Sequence, residues 1–192
     1  KKPFLNRHFE NGDGNLYEGT LSDFSEDWRG SFQKKTNKSE NDWSDIDAAV
    51  SVSQLIDIYG VSAIKSVFDL DAFLTFWALE VLVAHWDGYA GNHNNFYIYM
   101  DPVREQFVFL PWGADATFRS MEELNEEKSN PPSVMANSIL AYQLYQDPET
   151  QAQYIDRLVE LLDNVWDEEK IYADIDQMVS IIKPYLPKFQ RP

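Results

Sequence analysis

The 192-residue chain contains no cysteine, which excludes disulfide bonds, thiolate zinc sites and a cysteine nucleophile, and leaves the redox compartment open. Basic residues are also scarce, because 16 Lys and Arg stand against 32 Asp and Glu, for a formal net charge of −16. Such a charge repels nucleic-acid phosphates and anionic lipid headgroups. We therefore expect no nucleic-acid partner. An anionic substrate such as a nucleotide would need a divalent cation or a local group of basic residues.

Long hydrophobic runs are missing as well. The most apolar stretch, residues 70–86, is too short for a membrane span and carries Asp71 and Glu80. The chain opens on KKPFLNRHF without the apolar core of a signal peptide, although a longer precursor could have lost one. We expect no membrane span. Hydrophobic residues nevertheless make up 44% of the chain and aromatic residues 15%, which is enough for one sizeable core.

Turn signals and periodicity divide the chain into two parts within one predicted α+β domain, residues 1–192. Residues 1–43 are rich in glycine turns and predict short strands and ordered loops, with no evident partner for the strands. Residues 44–192 are predicted to be mainly helical, with helices near 44–58, 70–86, 133–145, 148–166 and 167–182. Ser44, Asp69 or Asp71, Asp147 and Asp167 are the expected caps.

Two aromatic runs interrupt the helices and predict a β-hairpin at residues 95–112, with a polar turn at Asp101-Pro102. A charged stretch further on, residues 121–132, predicts a surface loop or a short acidic helix. The hairpin matters for function because folding brings its two outer ends together. Asp87 and Asn92 precede the first strand and Asp115 follows the second, so we expect these three residues to meet.

The polar residues between the apolar helix and the hairpin are the candidate site. Buried Asp and Asn cost several kcal/mol unless they are paired, hydrogen-bonded or metal-bound. Asp87 and Asn92 have the D-x-x-x-x-N spacing that kinases use, with a later Asp holding Mg²⁺. Hard oxygen donors suit Mg²⁺, Mn²⁺ or Ca²⁺. Asn94 and Asn95 compete with Asn92 for the ligand role, and turn formation is the ordinary alternative for each asparagine.

Two stretches, LDAFLTFWALEVLVAHWDGYAGNHNNFYIY and FVFLPWGADATF, resemble the signature of the CotH kinase family, which consists of atypical, secreted-type protein kinases with a kinase-like fold. GNLYEG, FQKKTN and QYIDRLVELLDNVW extend the resemblance over most of the chain. It implies that Asp87 is the catalytic Asp, that Asn92 or its neighbour is the metal-binding Asn, and that Asp115 is the metal-binding Asp. Gly113 stands where the family's PWD-x-D stretch has its first Asp.

The resemblance implies an ATP- and Mg²⁺-dependent kinase that phosphorylates a Ser or Thr hydroxyl of a coat or secreted protein, outside the cytoplasm. It also implies that the chain is the helical C-terminal lobe, in which residues 1–43 are a strand and loop remnant and 44–192 the lobe with its hairpin. The N-terminal lobe, with its nucleotide-covering strands and phosphate-binding lysine, is then missing. Lys34, Lys35 and Lys38 are basic residues upstream of the site in this acidic chain.

Two other classes of function are open from the sequence. A pseudokinase, or a structural coat or surface binding protein, could keep the fold without catalysis, and Gly113 favours this alternative. A metal-dependent hydrolase would use the same oxygens to activate water, with Asp87 as its general base. Buried packing is the ordinary role for His85 and His93, since two histidines without a third ligand do not define a metal site.

Overall fold

A computed structural model describes residues 1–118 and 134–186. The chain forms one compact unit, Lys1–Leu158, and a second from Val159 onward. The assignment of residues 1–192 to a single domain without its N-terminal lobe stays a prediction. The loop or helix predicted at residues 121–132 lies outside the described residues.

The described residues contain one antiparallel sheet of four strands: β1 (Leu16–Gly19), β2 (Gln33–Lys34), β3 (Phe96–Asp101) and β4 (Gln106–Pro111). The strand order is β2-β1-β3-β4. Strands β3 and β4 form the predicted hairpin, with Ile98 opposite Phe109. The expectation that the N-terminal strands lack a partner is wrong, because Tyr17 of β1 pairs with Ile98 on the other edge of β3. Strand β3 is therefore an inner strand of the sheet, and β4 forms one of its edges.

The helices of the described residues are α1 (Lys2–His8), α2 (Ser44–Gln54), α3 (Ile56–Tyr59), α4 (Val61–Lys65), α5 (Leu70–Leu82), α6 (Tyr89–Asn92), α7 (Ile139–Gln146), α8 (Pro148–Asn164) and α9 (Glu168–Ile182). Together with the sheet they confirm the predicted α+β class. None of these helices has both the length and the apolar character that a membrane span requires.

Helix α5 is the central helix of the first unit and begins as the sequence predicts. The Asp69 side chain caps it by accepting a hydrogen bond of 3.1 Å from the Ala72 N–H. Its Phe73 and Trp77 are fully buried, as expected of a helix that is apolar on most sides. The predicted end near residue 86 is wrong. Ala84 has φ of +49°, a left-handed conformation that ends a helix, so the chain turns before it reaches the polar residues.

Other boundaries differ for local reasons. Ser44 is the first residue of α2 and not its cap, since Trp43 occupies the cap position without a side-chain bond and Asp42 accepts from the Ser44 N–H. The predicted helix at 44–58 divides into α2 and α3, and the predicted link at 61–68 contains α4. Residues 2–8 form α1 where strands or loops are predicted. At the C-terminal end Asp167 caps α9, as predicted, by accepting from the Lys170 N–H.

Aromatic rings form the core between α5 and the sheet. The Phe109 ring of β4 lies 4.8 Å from Phe73 of α5, 4.9 Å from Tyr89 of α6 and 5.6 Å from Phe96 of β3, measured between centroids. Phe24, from the loop after β1, packs edge-on against Phe109 as well. The short helix α6 is thus anchored in the core by Tyr89, although the residues around it are polar.

Gly19 tests this packing, because it pairs with Phe96 across β1 and β3. A Cβ at Gly19 would lie 2.1 Å from Cζ of the buried Phe96 ring, whereas a Cβ at Gly30 meets nothing within 4 Å. We expect Gly19→Ala to lower the free energy of unfolding by about 1–3 kcal/mol through overpacking, and Gly30→Ala to change it far less. Urea denaturation measures both. Equal stability of the two variants would contradict the close approach.

Candidate functional site

The site segment, residues 87–95, joins the end of α5 to the start of β3. It begins with Asp87 and Gly88, continues through α6, and ends on Asn94 and Asn95. Two of its residues have left-handed backbone angles, His93 with φ of +56° and Asn95 with φ of +51°. Asparagine tolerates this conformation better than most residues. The segment therefore folds back on itself and brings its asparagines close to Asp87.

The carboxylate of Asp87 is the centre of this arrangement. Its Oδ1 accepts hydrogen bonds from the side-chain amides of Asn92, at 2.7 Å, and Asn94, at 3.3 Å. Its Oδ2 accepts one from Asn95 at 2.7 Å, and the same amide donates to the Asp87 carbonyl at 3.1 Å. The structure thus brings together the predicted pair Asp87 and Asn92, and also both competing asparagines. Their roles in catalysis and metal binding stay predictions.

Asn95 links this group to the far end of the hairpin. Its Oδ1 lies beside Gly113, where an added Cβ would approach it to 2.7 Å. Gly113 has φ of +59° and leads into a 3₁₀ turn, Ala114–Ala116, which contains the exposed Asp115. The hairpin therefore brings Asp87 within one side chain of the turn that carries Asp115. Asn95, rather than Asn92, makes this link.

His85 lies two residues before Asp87 in the chain and is 2% exposed. Burial lowers its pKa, and the Gly113 backbone together with the charges of Asp87 and Asp115 offsets part of this effect. A lowered pKa makes the imidazole neutral at pH 7. Its Nδ1 lies 3.8 Å from Oε1 of Glu80. The histidine is thus packed under the site, in the role that the sequence favours for it.

Two buried carboxylates contact the site segment and were not predicted. Both oxygens of Glu80, on α5, accept backbone N–H bonds from α6, and burial raises its pKa to about 8. Asp23 accepts the Tyr89 hydroxyl at 2.9 Å and lies 3.4 Å from Nε2 of His93. Burial also raises the pKa of Asp23. In the sequence, Glu80 is recognisable as a charged residue within an apolar helix, whereas no sequence feature distinguishes Asp23.

Lys34 and Lys35, on and next to β2, contact residues of the sheet and of the segment before α2. Lys34 Nζ donates to the Asp42 carbonyl at 2.7 Å and lies over the rings of Tyr17 and Trp43. Lys35 forms an ion pair with Glu18 on β1. These contacts join β1, β2 and the start of α2. They give neither lysine a contact with the site segment.

The side chains that surround the Asp87 carboxylate are mostly asparagine amides. Within the described residues, no three His, Asp or Glu side chains are gathered as a metal site. A cation bound here would therefore combine one or two carboxylates with amide oxygens and with oxygens of its own ligand. Mg²⁺ bound to a nucleotide takes such a mixed set.

Comparison with known proteins gives a match to the CotH kinase protein family over residues 1–190, which is consistent with the predicted kinase-like lobe. Invasin CotH7 of Rhizopus delemar is 28% identical over 132 residues, covering 66% of this chain and 22% of that protein. Invasin CotH2 of the same fungus is 32% identical over 124 residues, covering 56% and 20%. Its Spore coat protein homolog 1 is 28% identical over 161 residues, covering 76% and 26%. The chain thus spans about a quarter or less of these relatives.

Gly113→Ala tests the contact between the two ends of the hairpin. We expect two costs: about 1–2 kcal/mol for a Cβ in the left-handed region, and about 1 kcal/mol more because the Cβ displaces the Asn95 amide from Asp87. Urea denaturation of a double-mutant cycle with Asn95→Ala separates them. In the Asn95→Ala background, Gly113→Ala should cost mainly the backbone term, because of the three close atoms of Asn95 only Cβ, at 3.2 Å, remains. Additive energies in the cycle would rule out the contact.

The raised pKa of Glu80 predicts a pH-dependent stability. The folded protein keeps on Glu80 a proton that the unfolded chain releases between the ordinary pKa of 4.5 and about 8. The contribution of Glu80 to the free energy of unfolding is therefore greatest below pH 4.5 and is lost as the pH rises to about 8. Between pH 5 and 8 we expect the wild type to lose about 1–4 kcal/mol relative to Glu80→Gln, at about 1.4 kcal/mol per pKa unit.

The measurement is urea denaturation of both proteins across this pH range. The difference between the two proteins removes the titration of every group that they share. A difference that stays constant from pH 5 to 8 would show that Glu80 titrates normally.

Proposed function

Because the chain belongs to the CotH kinase protein family, we propose that it is the helical lobe of a protein kinase that transfers phosphate from ATP to a Ser or Thr hydroxyl of a protein. One observation carries the proposal: the Asp87 carboxylate is held by asparagine amides, and Asn95 connects it to the turn of Asp115. Since the matched segments make up only 20–26% of these relatives, the activity is proposed for the longer protein.

Asp87 has the chemistry of the residue that prepares the acceptor. Its carboxylate would orient the acceptor hydroxyl and take its proton as the oxygen attacks the terminal phosphorus. One bond forms between the hydroxyl oxygen and the γ-phosphorus, and the bond from the γ-phosphorus to the bridging oxygen of ADP breaks. The three amides fix the direction of the carboxylate, so the residue contributes positioning as well as a proton acceptor.

The oxygen donors fit a divalent cation that arrives with the nucleotide. The exposed carboxylate of Asp115 and an amide oxygen of Asn92 or Asn95 would hold Mg²⁺, and the phosphates supply further oxygens. Mn²⁺ and Ca²⁺ accept the same donor types. When bound, the cation neutralises charge that develops on the transferred phosphoryl group.

A non-catalytic binding protein is the second candidate, and Gly113 favours it. The resemblance to the family implies an Asp at this position, whereas here the glycine lies against the Asn95 side chain. One carboxylate ligand is therefore absent. Such a protein would keep the kinase-like fold as a coat or surface component.

The names of the relatives support a location outside the cytoplasm for either candidate. Two are called invasins and one a spore coat protein homolog. We propose that the longer protein acts at a cell or spore surface, and that its protein substrate is a coat or secreted protein found there.

Transfer of labelled phosphate from ATP by the full-length protein tests the kinase proposal. We expect Asp87→Ala to lower the transfer rate by at least about 100-fold, because the proton acceptor is lost. Asp115→Ala should lower it similarly and raise the Mg²⁺ concentration needed for half-maximal rate. Asp71→Asn, an exposed carboxylate on α5, is the matched control and should label like the wild type. Equal labelling in all four proteins would contradict the proposed kinase function.

Absence of labelling by the wild type would favour the binding protein instead. Mn²⁺ titration followed by electron paramagnetic resonance then tells whether Asp115 still holds a cation. Loss of binding in Asp115→Ala, but not in Asp71→Asn, would assign that ligand independently of activity.

A further inference from the structure

Glu80 carries a buried carboxyl group on the mainly apolar helix α5, and it is 3% exposed. Each of its two oxygens accepts one backbone hydrogen bond from the start of α6. Oε1 accepts the N–H of Tyr89 and Oε2 that of Ala90, both at 2.9 Å. The carboxylate thus binds two consecutive peptide groups in a fork.

Helix α6 needs such a partner. It has four residues, and a helix leaves its first N–H groups without partners inside the helix. Its cap residue is Gly88, which has no side chain to accept them. An unpaired buried N–H costs about 1–3 kcal/mol. Glu80 supplies from a neighbouring helix the acceptors that the sequence of α6 lacks.

The same carboxylate determines the path of the chain beside Asp87. A Cβ at Gly88 would lie 2.2 Å from Oε1 of Glu80 and 2.9 Å from Nδ1 of His85. The backbone therefore passes directly over Glu80 at the residue after Asp87. The fork fixes the two peptide groups that follow, and Asn92 comes one turn later.

We propose that Glu80 is a positioning residue of the candidate site, which holds the backbone that presents Asp87 and Asn92 without touching either side chain. The expected effect of Glu80 on activity rests on the proposed kinase function. Its expected effect on the backbone of α6 does not.

Core packing alone does not account for a carboxylate here. An apolar residue of similar volume would avoid the cost of desolvating a carboxyl group, and such replacements are often neutral or stabilising. The fork to α6 is the feature that an apolar residue cannot reproduce. Other contacts hold α6 elsewhere: Asn137 donates to the carbonyls of Ala90 and Gly91, and Asp23 accepts the Tyr89 hydroxyl. Glu80 holds the end next to Asp87.

Two substitutions at Glu80 give a graded test. Gln keeps one acceptor of the fork and Met keeps none, whereas both preserve the approximate length of the side chain. Asp71→Asn on the same helix is the control, because this exposed carboxylate pairs with Arg157 away from α6. Thermal melts verify that each variant is folded before the other measurements.

The first measurement is amide hydrogen exchange at Tyr89 and Ala90, followed by NMR and compared with Ile98 in β3. We expect exchange at the two α6 amides to accelerate about 10-fold or more in Gln and further in Met, with Ile98 much less affected, as for a local opening. Unchanged protection at both amides in the folded Gln variant would overturn the proposal, whether or not the protein is a kinase.

The second measurement is steady-state phosphate transfer by the full-length variants. We expect Glu80→Gln to lower kcat by about 10- to 100-fold with the KM for ATP within about 2-fold, since a displaced catalytic group loses rate more than binding. An unaltered kcat would overturn the positioning role. If the wild type transfers no phosphate, the proposed kinase function fails, and the exchange measurement alone decides on Glu80.

Discussion

The packing of Tyr89 into the aromatic face of the sheet is the contact on which the candidate site depends. Its ring lies 4.8 Å from that of Phe96 and 4.9 Å from that of Phe109, and its hydroxyl donates to the buried Asp23. One side chain of the site segment is thereby part of the core. Tyr89 therefore holds the polar residues on either side of it in position, which a four-residue helix could not do by itself.

Polar groups can lie this close to the core because their partners are specific. The carboxylates of Glu80, Asp23 and Asp87 each accept more than one N–H or O–H from the site segment or its neighbours. Each acceptor offsets part of the desolvation cost of its carboxyl group, and each donor would be costly if left unpaired. The site is therefore a hydrogen-bonded unit. Removal of one member leaves its partners buried without a hydrogen bond, which lowers the free energy of unfolding.

Local patterns made part of this architecture predictable. The hairpin and the start of α5 follow from aromatic runs, a turn and a capping Asp, all within a few residues. The pairing of β1 with β3 did not, because it joins segments far apart in sequence and no short motif specifies it. For the same reason no partner for the strands of residues 1–43 is evident from the sequence.

In the candidate site, too, contacts between residues close in sequence could be predicted and contacts between distant segments could not. Asp87 and Asn92 are five residues apart, so their contact follows from one tight turn and could be anticipated. The link through Asn95 depends on left-handed backbone at Asn95 and at Gly113, in two segments that only the hairpin brings together. Glu80 was visible as a charge in an apolar helix, but its partners on α6 belong to a fold that composition cannot specify.

Gly113 connects this geometry to the chemistry of the proposed kinase. Where the resemblance to the family implies a carboxylate, this chain has a glycine in contact with an amide side chain, which implies less negative charge at the site. Fewer carboxylates weaken the affinity for a free divalent cation, yet they also reduce the repulsion of ATP by a chain of net charge −16. In the proposed kinase, both effects would favour entry of cation and nucleotide as one complex, with phosphate oxygens among the ligands of the cation. The glycine at position 113 is thus compatible with the proposed phosphoryl transfer if Asp115 and the phosphates of the nucleotide together hold the metal.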